Sequence, residues 1–150
     1  MKDELKKKQQ QILKKMRSVY GIKALDSVQL DDIGKTMMGK DYCGTFAYDQ
    51  YPANAPQCSY AIINTDNSRQ SGTHWIGVYK HEKTLYIFDS FGRFSKNVLK
   101  KFVKSHLEQG FKIVDVNKTS DQGNNQEDCG LRSMTTLLLI KKYGVDKVFD

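Results

Sequence analysis

With 150 residues, 39% of them hydrophobic, and eight tyrosines and seven phenylalanines, the chain has the make-up of one globular domain, long enough to bury roughly 70% of its unfolded surface. The net charge of +7 sits mostly at one end, where residues 1–23 hold seven lysines and Arg17 against Asp3 and Glu4, a balance of +6. The longest purely apolar run, Leu137 to Ile140, is far too short to span a bilayer, and no apolar stretch follows the charges of Met1 to Lys8; neither a membrane partner nor a secretory signal is expected.

Residues 3–20 are predicted to be helical, with Leu5, Ile12, Met16 and Val19 on a weak stripe and lysines elsewhere. A basic segment of this kind is either a solvated helix face or a polyanion contact, nucleic acid being the partner in the second case. We read residues 1–23 as a basic helical extension and 24–150 as the main domain. A second helix starts near Asp26 or Ser27, where Gln29 can complete a capping box, and carries Leu30, Ile33 and Met37. Tyr42 to Pro56, rich in Gly, Pro, Asn and Tyr, reads as loop. Strands are expected at about 58–63, 74–80, 84–89 and 111–117, with a helix at about 95–108 between the last two. A final helix follows Cys129 and stops at Gly144. The order is that of an α+β domain, a small mixed sheet flanked by helices.

The two middle strands can be registered from their side chains. A tight turn at His81-Glu82 would pair Lys80 with Lys83, Val78 with Leu85, Ile76 with Ile87 and His74 with Asp89. The other face would then pair Trp75 with Phe88 and Gly77 with Tyr86. Apolar partners match on both faces, and a one-residue slip would spoil them. His74 and Asp89 fall together at the open end, as an imidazole and its orienting carboxylate require.

The stretch Gln122-Gly123-Asn124-Asn125-Gln126-Glu127-Asp128-Cys129-Gly130 puts a cysteine at the start of the final helix. There the macrodipole and unpaired backbone N–H groups favour the thiolate. The bland reading, a structural cysteine behind an N-cap Asp128, weakens once Gln122 and the His74–Asp89 pair are counted with it. Three cysteines without export point to a reducing compartment and free thiols, with Cys43 and Cys58 ordinary semi-buried ones. His81 is assigned to a hairpin turn and His106 to a helix surface. No metal is expected, because the histidine and cysteine spacings make no zinc pattern. Gly34-Lys35-Thr36 fails as a phosphate loop, since Gln29 stands where the first glycine belongs.

These residues resemble the adenovirus proteinase family and, more broadly, the clan that includes ubiquitin-like-protein-specific proteases. The resemblance runs from about Leu30 to the end of the last helix. It rests on Gly44-Thr45-Phe46, Ala61-Ile62-Ile63-Asn64-Thr65, Gly72-Thr73-His74-Trp75, Phe88-Asp89-Ser90-Phe91-Gly92 and Gln122-Gly123-Asn124-Asn125 before Cys129. The seven-residue step from Gln122 to Cys129 favours the viral branch over the ubiquitin-like one.

The resemblance implies that Cys129 is the nucleophile, His74 the general base and then acid, and Asp89 the group that orients it. It also implies that the Gln122 amide and the Cys129 backbone N–H form the oxyanion hole. The expected activity is a viral maturation endopeptidase that cuts capsid or core precursors at glycine-containing sites, in a cleft walled by Gly72, Thr73 and Trp75. Location would be the virion and the infected cell, nucleus or cytoplasmic factory, without secretion. The alternatives are an isopeptidase for a ubiquitin-like modifier and a non-catalytic binding protein on a protease fold.

Nothing in the sequence requires a cofactor. The family's use of viral DNA nevertheless makes nucleic acid a candidate activator, through residues 1–23 and through Lys96, Lys100 and Lys104. Three departures stand out: Asp89 replaces the viral family's Glu, residues 1–23 are added, and Phe111 to Ser120 has no cysteine. A disulfide-linked activating peptide is therefore not expected.

Overall fold

The computed structural model describes residues 2–21, 25–52, 58–65, 74–89, 99–115 and 129–149, and the account below is confined to these. Five strands make one mixed sheet in chain order: β1 (Tyr42–Ala47), β2 (Tyr60–Asn64), β3 (Trp75–His81), β4 (Thr84–Phe88) and β5 (Lys112–Asp115). The outer pairs, β1 with β2 and β4 with β5, are parallel; the inner pairs are antiparallel. Helices α1 (Asp3–Tyr20), α2 (Ser27–Met38), α3 (Lys100–Glu108) and α4 (Cys129–Tyr143) flank the sheet, and the single turn α5 (Val145–Val148) follows. The fold is α+β, as the element order predicts.

Alternation along the strands divides the interior in two. Tyr60 and Ile62 face α4 and α2, joining Leu30, Ile33, Leu131, Met134 and Leu137 in one cluster. Ala61, Ile63, Ile76, Val78, Leu85 and Ile87 face the other way and meet Leu99 and Phe102 at α3. Helix α4 is buried almost all round because it lies between the sheet and α1.

Both N-terminal helices follow their sequence signals. In α2, the Asp26 carboxylate accepts from the Gln29 backbone N–H at 2.8 Å, and the Gln29 side chain accepts from the Asp26 N–H at 3.0 Å. Leu30 and Ile33 are buried as expected, but Met38 rather than Met37 completes the inner face. Gly34 allows α2 to approach closely: a Cβ there would stand 2.3 Å from the buried Tyr42 ring. In α1, Leu5, Leu13 and Met16 are buried, whereas Val19, expected on that stripe, is 71% exposed. The helix is tied to α4 by Gln9 Nε2 donating to Thr136 Oγ1 at 3.5 Å and Lys8 Nζ donating to Tyr143 Oη at 2.8 Å.

Three expectations are corrected. Residues 42–47 form strand β1 rather than loop. Thr45 and Phe46 favour a strand, while Gly44 with its positive φ of 140° marks the bulge where the β1–β2 register shifts. Cys43 lies in that shift, and it is joined to Cys58 in a disulfide with a Cα–Cα distance of 5.1 Å. The expectation of three free thiols is therefore overturned; Cys129 alone is free. Finally, the β3–β4 register differs by two residues. His81 pairs with Thr84 around a Glu82-Lys83 turn, giving Val78–Ile87 and Gly77–Phe88. Glu82 takes the positive φ of 54° that a tight hairpin turn demands. A slip of two preserves which residues share a face, so the apolar matching could not detect it.

Among the described residues, no helix is long and apolar enough to cross a membrane.

Candidate active site

His74 immediately precedes β3, Asp89 immediately follows β4, and Cys129 is the first residue of α4. Continued by one residue, the hairpin register would set Asp89 opposite Ile76, so His74, two residues before Ile76, reaches it diagonally. His74 Nε2 and Asp89 Oδ1 are 2.6 Å apart, with side chains 13% and 5% exposed. The thiol arrives from the other side of the sheet, on α4, and the Trp75 backbone N–H donates to Cys129 Sγ at 3.3 Å. Cys129 also acts on the protonation of the neighbouring His74 ring. With Nε2 turned to Asp89, Nδ1 is the ring nitrogen left to exchange a proton with sulfur.

Burial works against a charged His74, but hydrogen bonds to Asp89 and Cys129, and the charges of both, outweigh it. Its pKa is pushed up to about 9. Since the folded value lies above the ordinary one, the interaction's stabilisation is complete below about pH 6.5 and is lost as pH rises through about 9. Thermal melts across that window should show the wild-type chain losing more stability than Asp89→Asn. Equal pH slopes would mean the pair is not carrying the charge.

The structure thus brings together Cys129, His74 and Asp89. Gln122, Gln126, Asp128, Gly72, Thr73 and Lys96 lie outside the described residues. Trp75 touches the thiol through its backbone; its ring packs on the α4-side cluster, and its Nε1–H donates to Leu25 O at 3.2 Å. Nothing in the sequence singles out that amide, because every residue but proline carries one. His81 is not in the hairpin turn to which the sequence assigns it but is the last residue of β3, paired with Thr84 beside that turn. His106 does not lie on a helix surface: it is 5% exposed, its ring tilted against Phe102 with centroids 4.2 Å apart, and its Nδ1–H donates to Phe102 O. Among the described residues no group of three His, Cys, Asp or Glu side chains is placed to hold a metal ion.

The arrangement has the parts of a thiol nucleophile with its base: a sulfur at a helix N-terminus, an imidazole beside it, and a carboxylate fixing the ring. A family model described as adenovirus endoprotease matches residues 43–149. A protease of bovine adenovirus B serotype 3 is 30% identical over 118 residues, an alignment covering 68% of this chain and 55% of that protein. The chain therefore spans about half the length of that relative. Among solved structures, the central domain of the uncharacterized Lpg1148 protein from Legionella pneumophila is similar with a TM-score of 0.50 and 16% identity. The match covers 85% of this chain and 82% of that one, and at such identity the likeness is of fold alone.

Proposed function

The chain belongs to the adenovirus endoprotease family, and from that premise we propose that it is a viral cysteine endopeptidase using Cys129, His74 and Asp89. The observation that carries this reading is the 2.6 Å His74–Asp89 contact beside a thiol at a helix N-terminus. His74 takes the thiol proton, and the sulfur attacks the scissile carbonyl. The imidazolium then protonates the leaving amine, and water releases the acyl-enzyme. Gln122 and the Cys129 backbone N–H are proposed as donors to the oxyanion. Substrates on this reading are capsid or core precursors cut at glycine-containing sites, beside Gly72, Thr73 and Trp75, in the virion or infected cell.

Nucleic acid is proposed as an activator rather than an obligatory cofactor. While the inner face of α1 packs on α4, Lys2, Lys6, Lys7, Lys14 and Lys15 remain exposed, leaving the helix able to bind phosphates without giving up its packing. Such contacts are sequence-independent and weaken as salt rises. Incubation with capsid and core precursors, with and without duplex DNA across a salt series, followed by mass-spectrometric mapping of new termini, tests both parts. New termini at glycine-containing sites, formed faster with DNA at low salt, are expected. Cleavage of a fluorogenic ubiquitin-like conjugate in preference to every precursor would favour the isopeptidase reading instead.

A further inference from the structure

The polar groups of Trp75 occupy an unusual place in the sheet. Thr65 N–H donates to His74 O, and Lys80 N–H to Ser59 O. These bonds fix the alternation along β3, so that the N–H and C=O of Trp75 point away from β2. On the other side, among the described residues, pairing with β4 stops at Gly77–Phe88. The backbone of Trp75 is therefore satisfied by a helix. Its N–H donates to Cys129 Sγ at 3.3 Å, and its C=O accepts from Ser133 Oγ at 3.2 Å. Cys129 and Ser133 are four residues apart, one turn along the same face of α4.

Serine inside a helix usually bonds the carbonyl four residues back, as Thr135 Oγ1 does to Leu131 O at 2.8 Å. For Ser133 that carbonyl would be Cys129's own; its hydroxyl instead crosses to the sheet. Ser133 is fully buried, so its donor has no water to fall back on.

We propose that Ser133 is a positioning residue which, by pinning the Trp75 carbonyl, fixes the height and rotation of α4 and so the approach of Cys129 Sγ to His74. The inference rests on the reading of Cys129 as nucleophile. The Ser133 bond and the sulfur's own bond grip one residue, Trp75, which follows the base directly in the chain. Sliding α4 along β3 would stretch both.

The test compares Ser133→Ala with Thr135→Val, each of which removes one buried hydroxyl from α4. Two quantities are measured: the rate of Cys129 alkylation by iodoacetamide as a function of pH, and kcat and KM on a glycine-containing peptide. Because Cys43 and Cys58 are bonded to each other, alkylation without reductant reports Cys129. Ser133→Ala should alkylate about tenfold more slowly near pH 6.5 and approach the wild-type rate near pH 9.5, with kcat down about tenfold and KM within about twofold. Thr135→Val should keep the wild-type profile and kcat, even where its melting temperature falls. A wild-type alkylation profile in Ser133→Ala, or the same loss in both variants, would overturn the proposal. If the wild-type enzyme cleaves no peptide, the protease reading fails, while the alkylation profiles still decide the role of Ser133.

Discussion

Replacing Cys129 by Ala should abolish peptide cleavage, a loss on the order of a millionfold in kcat, with little change in stability. On the proposed reading the nucleophile and its base act as one unit, so His74→Ala should cost nearly as much, and the double variant hardly more than either single one. Progress curves for the three variants decide the point. Additive losses would show that His74 and Cys129 act in separate steps. Joint replacement of Cys43 and Cys58 by Ser should leave most activity, since both lie by the N-terminal ends of β1 and β2, away from the β2–β3 end that carries His74. If that double variant were inactive and Cys129→Ala retained cleavage, the site would have been misassigned.

Gln122→Ala is expected to lower kcat about a hundredfold or more while changing KM little, because an oxyanion donor acts on charge that develops only in the transition state. Gln126→Ala is the matched comparison. It lies three residues before the nucleophile, too close in sequence to turn back on it easily, and its loss should be mild. Steady-state kinetics with one substrate separates the two. A severe Gln126 variant beside a mild Gln122 variant would reverse the assignment.

Local chemistry was legible in the sequence wherever a residue carries its own signal. Asp26 and Gln29 announce the start of α2, and Gly144 the end of α4, because caps are short-range devices. The pairing of His74 with Asp89 was also legible, although by the wrong path. Side-chain alternation has a period of two, so it distinguishes a register from its one-residue slip but not from a two-residue slip. The true pairing depended on Glu82 accepting a positive φ, which a glutamate does not advertise. Strand β1 was hidden because Gly44 and the Tyr-Asp-Gln-Tyr-Pro segment after it carry turn chemistry, whereas its strand character comes from pairing with β2, a non-local contact. The Cys43–Cys58 bond was hidden for a related reason: three cysteines allow three pairings, and it is the non-local pairing of β1 with β2 that brings Cys43 beside Cys58. His106 was misplaced because a helix surface and a helix interface look alike when one polar residue stands among alternating lysines and apolar groups.

The burial of α4 has a consequence for the order in which the site is completed during synthesis. Leu131, Met134, Leu137, Leu139 and Ile140 are each no more than 3% exposed, and their partners come from α1, α2, β2 and β3. A ribosome releases all of those elements before α4, so the core on this face of the sheet cannot close until α4 is available. On the proposed reading, a chain synthesised only as far as β5 holds His74 and Asp89 without Cys129, and α4 completes the set.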